Sequence, residues 1–344
     1  MLTIFCLVSR QAMANVLPVL MFKPEKVVLF TTPQEKFCAD NLENLFKSKG
    51  IKVYRRDGLD AYDFEGVKNI VKEKLDSFEG DVWLNVTGGT KLMALAAYEV
   101  FIESNKSIFY CNTAKNQIIR LYPSIHTEKL KLDLTIEDYL NSYGYKVLST
   151  RTDKIDEKEI KLFNLLDESN LLKKFSDFLD RFRSLSSDNS GTRTYYDKKN
   201  GIFSIQKTTA GYLLFINKEK FKFDNSRFLK GYWLEDYTLY KLNKVGIIPE
   251  LGVKIVSSNN VENEIDLIFL SDYKLYLISC KSGRNKDPNK DLYEIETLRN
   301  VAGGTFGKAF LITTKPLTQR MQERAKELNV NALTVEQIDS IKEV

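Results

Sequence analysis

Histidine occurs once in the 344 residues, at His126, and the four cysteines (Cys6, Cys38, Cys111 and Cys280) form no C-x-x-C pair. That scarcity argues against a structural zinc site and against a disulfide framework. It points to a reducing, cytoplasmic compartment. A Ser-His-Asp or Cys-His mechanism would have to use His126, which lies in the polar run PSIHTEK, where a surface or loop histidine is the commoner role. No stretch approaches the roughly 18 apolar residues of a membrane span. The opening MLTIFCLVSRQ has no basic n-region and no small-residue cleavage site, so it reads as a buried first strand and not as a signal peptide. Net charge is +5, which permits an anionic partner without demanding one. Lys281, Arg284, Lys286 and Lys290 cluster, a run that a solvated loop explains equally well.

What is present divides into three patterns. In residues 1–145, LTIFCLV, KVVLFTT, IKVY, DVWLNVT and SIFYCN read as buried strands. Between them, EKFCADNLENLFKSKG, DFEGVKNIVKEKLDSF and TKLMALAAYEVFIES carry helical periodicity. This alternation predicts an α/β, mostly parallel, doubly wound sheet. Residues 146–225 hold one helical pattern, a polar break and hairpin-like runs, and read as a connecting module without assignable chemistry. Residues 226–344 run helix, three strands, charged loop, helix, strand, helix.

In such a sheet ligands bind beyond the carboxyl ends of the strands. There lie Ser9-Arg10-Gln11, Thr31-Thr32-Pro33-Gln34 and the turn Asn85-Val86-Thr87-Gly88-Gly89-Thr90-Lys91. Two glycines let backbone approach a ligand, and the following helix N-terminus favours an anion. Ordinary helix capping by Ser9 and Thr32 is the plain alternative. The turn is not a P-loop, since G-x-x-x-x-G-K-[ST] is absent.

In the last pattern, Asp266 lies in the strand NEIDLIFL and Lys281 ends the next, KLYLISCKS. Period-2 geometry puts Leu277, Ser279 and Lys281 on one face. Metal-dependent phosphodiester cleavage needs carboxylates for a hard cation and gains from a lysine at the developing charge. Asp on one strand and x-x-Lys on the next is the layout of PD-(D/E)xK nucleases, and Glu235 on the preceding helix can reach the same metal. A solvated strand face is the alternative for the isolated pattern. The turn GGTFGK is either a phosphate-approaching backbone or a helix C-cap. Tyr232, Trp233 and Tyr237 are either base-stacking or core residues.

The runs LVSRQ, NVTGGTKLMALAAYEVF and LTIEDYLNSYG resemble the CARF sensor domain of type III CRISPR ancillary proteins. WLEDY, NEIDLIFL, LISCKSG and GGTFGKAFLIT resemble the nuclease half of CARF-fused PD-(D/E)xK enzymes. The resemblance implies a Rossmann-like CARF domain followed by a restriction-endonuclease-like domain. It implies a homodimer that binds a cyclic oligoadenylate, the four-membered cyclic tetra-adenylate, across its two-fold axis. Ser9, Gln11, Thr32, Asn85, Thr87, Gly88, Gly89, Thr90 and Lys91 become candidate ligand contacts. Ligand binding then activates cleavage of DNA, RNA or both with Mn2+ or Mg2+. Asp266 and Glu235 would hold the metal, and Lys281 would position water or steady the transition state. The family has Glu or Gln two residues before the lysine, where this chain has Ser279, a weaker, neutral ligand. Glu294 and Glu296, on the following helix, are available as a migrated carboxylate. Ser279 also favours an alternative: a ligand-responsive nucleic-acid-binding regulator whose nuclease fold is inactive.

Overall fold

The expected apolar runs do become strands. The computed structural model describes residues 2–152, 155–185, 194–197, 201–224, 227–283 and 288–343. Arg284 and Lys286 of the basic run lie outside these residues.

The N-terminal sheet contains β1 (Leu2–Leu7), β2 (Lys26–Phe30), β3 (Lys52–Arg56), β4 (Asp81–Asn85), β5 (Ser107–Asn112), β6 (Gln117–Tyr122) and β7 (His126–Lys129). Their order is β3-β2-β1-β4-β5-β6-β7. The first five strands are parallel, and β6 and β7 add an antiparallel edge. His126 is exposed at the start of β7. Helix α1 (Met13–Phe22), which lacks an amphipathic period and contains Pro18, is buried along most of its length. It and α2 (Lys36–Ser48) cover one face of the sheet. The other face is covered by α3 (Phe64–Asp76), capped by Asp63, and α4 (Lys91–Glu103), capped by Thr90.

Helix α5 (Ile136–Ser142) leads into β8 (Tyr145–Arg151). The sequence pattern assigns β8 to the connecting module, but it forms the edge of the C-terminal sheet. The single helical pattern after it is two helices, α6 (Glu157–Glu168) and α7 (Leu172–Leu185). They part at Asn170, which adopts a left-handed φ of 52°. The hairpin-like runs form an antiparallel sheet of β9 (Thr194–Tyr196), β10 (Phe203–Thr208), β11 (Gly211–Ile216) and β12 (Glu219–Phe223). Its inward residues share one apolar cluster with α6, α7 and α8 (Trp233–Lys244) and with one face of the C-terminal sheet. The middle segment thus packs as part of the core of the C-terminal half. Trp233 and Tyr237 are 0% and 2% exposed in that cluster, which settles them as core residues.

The C-terminal sheet combines β8 with β13 (Glu250–Ser257), β14 (Glu262–Ser271), β15 (Lys274–Lys281), β16 (Lys308–Thr313) and β17 (Val330–Thr334). Helices α9 (Pro288–Ala302) and α10 (Gln319–Glu327) supply the crossovers from β15 to β16 and from β16 to β17.

The two halves meet through side chains. Val253, Ile255, Leu275 and Leu277 of the C-terminal sheet belong to the same apolar cluster as Ile4, Val27 and Leu29 of the N-terminal sheet. Helix α5 lies at this junction. Its Tyr139, 1% exposed, donates from Oη to the Gly303 carbonyl at 2.7 Å. A Cβ at Gly304, whose φ is 58°, would overlap the Tyr143 ring, so the turn after α9 is built to seat that ring. The GGTFGK turn therefore acts as a helix C-terminus docked on the N-terminal half. Tyr139→Phe leaves a buried carbonyl unpaired, and a loss of about 1–3 kcal/mol in urea unfolding is expected. A variant indistinguishable from wild type would refute this role of the bond.

Candidate functional site

Two sites take shape, one on the N-terminal sheet and one on the C-terminal sheet. At the carboxyl ends of β1, β2 and β4, a crevice of about 640 Å³ opens. Ser9, Thr32, Gly89 and Thr90 line it. Gln34, Asp60 and the 78% exposed Tyr62 also line it. Tyr62 escaped the sequence reading because it stands in the irregular segment after β3. Its signal there was only a lone aromatic in a polar loop.

The NVTGGTK residues divide by role. Asn85 is fully buried: its Nδ2 donates to the Ala14 carbonyl and to Asn15 Oδ1, both at 2.8 Å. Its Oδ1 accepts from Thr87 N at 3.1 Å and Thr87 Oγ1 at 2.5 Å. Thr87 Oγ1 also accepts from Cys111 N at 2.6 Å. These two residues spend their polar atoms tying β4 to α1 and β5, and so shape the turn without facing the crevice. A Cβ on Gly88 would overlap the Leu7 carbonyl oxygen. Gly89, at φ 72°, would press a Cβ on Leu7 at 2.9 Å. The glycines thus let β4's turn close over β1. Thr90 Oγ1 accepts from Met93 N and donates to the Ala61 carbonyl at 2.9 Å, fixing the loop after β3 as well. Lys91 is exposed at the first turn of α4. Gln11 turns away to the other half: its Nε2 donates to Thr305 Oγ1, and its Oε1 accepts from Thr305 N at 3.4 Å.

The second site lies where β14, β15 and α8 converge. The antiparallel register of β14 and β15 continues to place Asp266 across from Ser279. Asp266 Oδ2 accepts from Cys280 N at 2.6 Å and from Ser279 Oγ at 3.3 Å. Burial raises the Asp266 carboxyl above its ordinary value, against the opposing pull of the Cys280 N–H and of Lys281. Burial, then the charge of Asp266, pushes Glu235 up to about 8. Arg151 partly offsets this, with Nη1 at 3.3 Å from Glu235 Oε2 and Nη2 bonded to Asp236. The same environment raises the Cys280 thiol, whose Sγ lies 3.5 Å from Thr238 Oγ1.

Two residues here were not singled out from the sequence. Arg151 arrives at the end of β8, in a segment read as connector. Asp291, 12% exposed on α9, lies 4.0 Å from Lys281 Nζ. Glu294 is exposed, and Glu296 pairs toward Arg299 at 3.9 Å. The acidic partner that α9 brings to Lys281 is therefore Asp291. Among the described residues, no group of three or more His, Cys, Asp or Glu stands ready to hold a metal. Asp266 and Glu235 are the two carboxylates that converge, oxygen donors of the kind a hard cation takes. Among the described residues, no helix is long and apolar enough to cross a membrane.

Two family models match the chain. One describes the Card1 CARF domain and covers residues 3–139; the other describes a Card1-like endonuclease domain and covers residues 223–344. No curated protein sequence matches. Among solved structures, Can2 from Sulfobacillus thermosulfidooxidans in complex with cyclic tetra-adenylate superposes with a TM-score of 0.78 at 24% identity. That match covers 100% of this chain and 98% of Can2. Protein VC1899 from Vibrio cholerae gives 0.76 at 20% identity, covering 99% of this chain and 96% of that one. A type III CRISPR defence DNA nuclease activated by cyclic oligoadenylate gives 0.58 at 16% identity, covering 97% of this chain and 48% of that one. These likenesses establish a shared fold, and the two family models between them take in about three quarters of the sequence. Residues 3–139 therefore belong to the Card1 CARF domain family and residues 223–344 to the Card1-like endonuclease domain family.

Proposed function

We propose that this chain is a cytoplasmic, homodimeric nuclease. Cyclic tetra-adenylate activates it, it depends on Mn2+ or Mg2+, and it cuts DNA, RNA or both in antiviral defence. We also propose residues 1–144 as sensor, with the segment from β8 onward belonging to the nuclease body. The observation that carries the reading is the join between the two sites. The loop after β1 both borders the sensor crevice, through Ser9, and holds Thr305, through Gln11. Thr305 follows α9, and α9 carries the Asp291 that faces Lys281. A ligand that favours one arrangement of the β1 loop thereby biases the catalytic lysine. Leu92 and Leu95, 39% and 58% exposed on α4 beside the Thr90 turn, offer an apolar surface that a second copy would cover. Four free cysteines suit a reducing compartment.

The residues fit a divalent cation: two crowded carboxylates, both pushed above their ordinary range, gain from a positive charge between them. Asp266 and Glu235 would hold it, with the Ser279 hydroxyl beside Asp266. A bound metal supplies charge neutralisation at the phosphate and a more acidic water. The Cys280 N–H fixes the Asp266 carboxylate. Arg151 draws Glu235 and Asp236 together. Lys281 donates from Nζ to the attacking water or to a non-bridging oxygen, and Asp291 restrains its direction.

One observation favours a second reading, a ligand-responsive nucleic-acid-binding regulator: Ser279 leaves the site without a third converging acid among the described residues. Cleavage of supercoiled plasmid and of single-stranded RNA with Mn2+ separates the two. We expect cleavage to require cyclic tetra-adenylate and to fall by about 10²–10⁴-fold in Asp266→Ala and in Lys281→Ala. A wild type that binds the ligand yet cuts nothing with either metal would leave the regulator.

Gln11→Ala should retain ligand affinity while the ligand's stimulation of cleavage drops at least about fivefold. Lost affinity with intact stimulation would return Gln11 to the ligand's contacts.

Glu235 adds a pH dependence. Its folded value, about 8, lies above its ordinary 4.5, so its contribution to stability is full below 4.5 and fades as pH rises through 8. A cation binds the ionised form. The Mn2+-induced rise in Tm should therefore be larger at pH 8 than at pH 6, and absent in Asp266→Ala. An equal rise at both pH values, or one that survives the substitution, would contradict the assignment.

A further inference from the structure

The far end of the nuclease sheet gathers charge of one sign. Lys274 begins β15, Lys308 begins β16, and Asn329 and Asn331 flank the start of β17. The parallel registers Tyr276↔Lys308 and Ala309↔Val330 set these strand starts side by side. Lys326, from the last turn of α10, and Arg299, from the last turn of α9, close the other sides. The result is a pocket of about 510 Å³, floored by the Phe306–Gly307 turn.

No carboxylate is among the residues that line it. Among the described residues, Lys274, Lys308 and Lys326 make no side-chain hydrogen bond or ion pair. Arg299 is held from behind by Asn300 at 2.7 Å and Glu296 at 3.9 Å, with its side chain 14% exposed and its Nε buried without a hydrogen-bond partner. Lysines on an open surface disperse into water. Here three share one concave pocket with a largely buried guanidinium, where mutual repulsion is less screened. An anion relieves that repulsion.

The pocket is not the catalytic site. Lys274 and Lys281 stand at opposite ends of β15, seven residue steps or about 23 Å apart at roughly 3.3 Å per residue. Duplex DNA covers that distance in about seven base pairs. The lining offers cations and neutral amides, but no carboxylate to receive a ribose hydroxyl or a cytosine amine. Such a site takes phosphate and does not read bases.

We propose that this pocket grips a backbone phosphate of bound nucleic acid, remote from the phosphate that is cut. The proposal rests on the nuclease reading above. It gives the protein a second, sequence-independent hold on its substrate, beside the Gly304–Thr305 turn that meets the sensor. An oligonucleotide then has to reach both the catalytic end and this pocket to bind at full strength.

The test is fluorescence anisotropy with labelled duplex and single-stranded 30-mers. It uses the full-length protein with cyclic tetra-adenylate, and calcium in place of manganese, over a sodium chloride series. Lys274→Gln/Lys308→Gln/Lys326→Gln is compared with wild type and with Lys52→Gln/Lys72→Gln/Lys74→Gln, which removes the same charge from the sensor. The pocket variant should bind every duplex sequence several-fold more weakly. Its slope of log K against log salt should be shallower by about 0.9 or more, the value of one phosphate contact. The sensor variant should match wild type. If the pocket variant shows wild-type affinity and slope, the pocket is not a nucleic-acid site, while the nuclease reading stands. If wild type binds no nucleic acid, the nuclease reading falls and this proposal with it. Calorimetric titration with inorganic pyrophosphate resolves the source of the anion. Pyrophosphate binding lost in the pocket variant, with nucleic-acid affinity unchanged, would assign a free phosphoanion and overturn the strand as occupant.

Discussion

The structure depends on one apolar core that does not stop at the boundary between its two activities. Side chains from the inner face of the sensor sheet and from the nuclease sheet belong to the same buried cluster, with α5 and its Tyr139 at the junction. Interiors packed at this density shift between discrete arrangements and do not deform smoothly. That shared packing is the route we propose from the sensor's strand ends to the nuclease sheet. Two polar contacts at the junction, Gln11 with Thr305 and Tyr139 with Gly303, join the N-terminal half to the turn after α9.

The cluster of Asp266 and Glu235 illustrates what burial does to a carboxyl. Asp266 and Glu235 are placed where water cannot fully solvate them, and both are raised from their ordinary values as a result. Left alone, that arrangement costs stability whenever both carboxyls are ionised. Arg151 offsets part of the cost. The remainder is the electrostatic demand on which the proposal of a divalent cation rests. Ser279 adds to this balance: a third carboxylate at that position would stand directly across from Asp266, whereas the hydroxyl donates to it.

Much of the architecture was legible in residue order. Fully buried parallel strands appear as continuous apolar runs, and α2, α3 and α4 show clear helical periods between them. Helix α1 was illegible because it is buried on nearly all sides and so lacks an amphipathic stripe, and Pro18 points the wrong way. Strand β8 was assigned to a connector because its partner, β13, lies about a hundred residues further on. The site residues divide in the same way. That Asp266 and Lys281 lie on adjacent strands was readable from residue type and strand spacing, and the structure sets Glu235 beside Asp266. Asn85 looked like a ligand contact because an amide at a strand end reads the same whether it faces a ligand or ties two elements together.

The sequence by itself determined the two-part α/β plan, the glycine turn after β4 and the acid–lysine pair on adjacent strands. Each of these rests on local periodicity or on the chemistry of neighbouring residues. Only the tertiary structure decided that Gln11 reaches Thr305, that Arg151 meets Glu235, that Asp291 rather than Glu294 or Glu296 faces Lys281, and that four cations share a pocket at the sheet's far end. Those pairings join residues distant in the chain, and no local pattern encodes them. They follow from how the sheets and their crossover helices pack against one another.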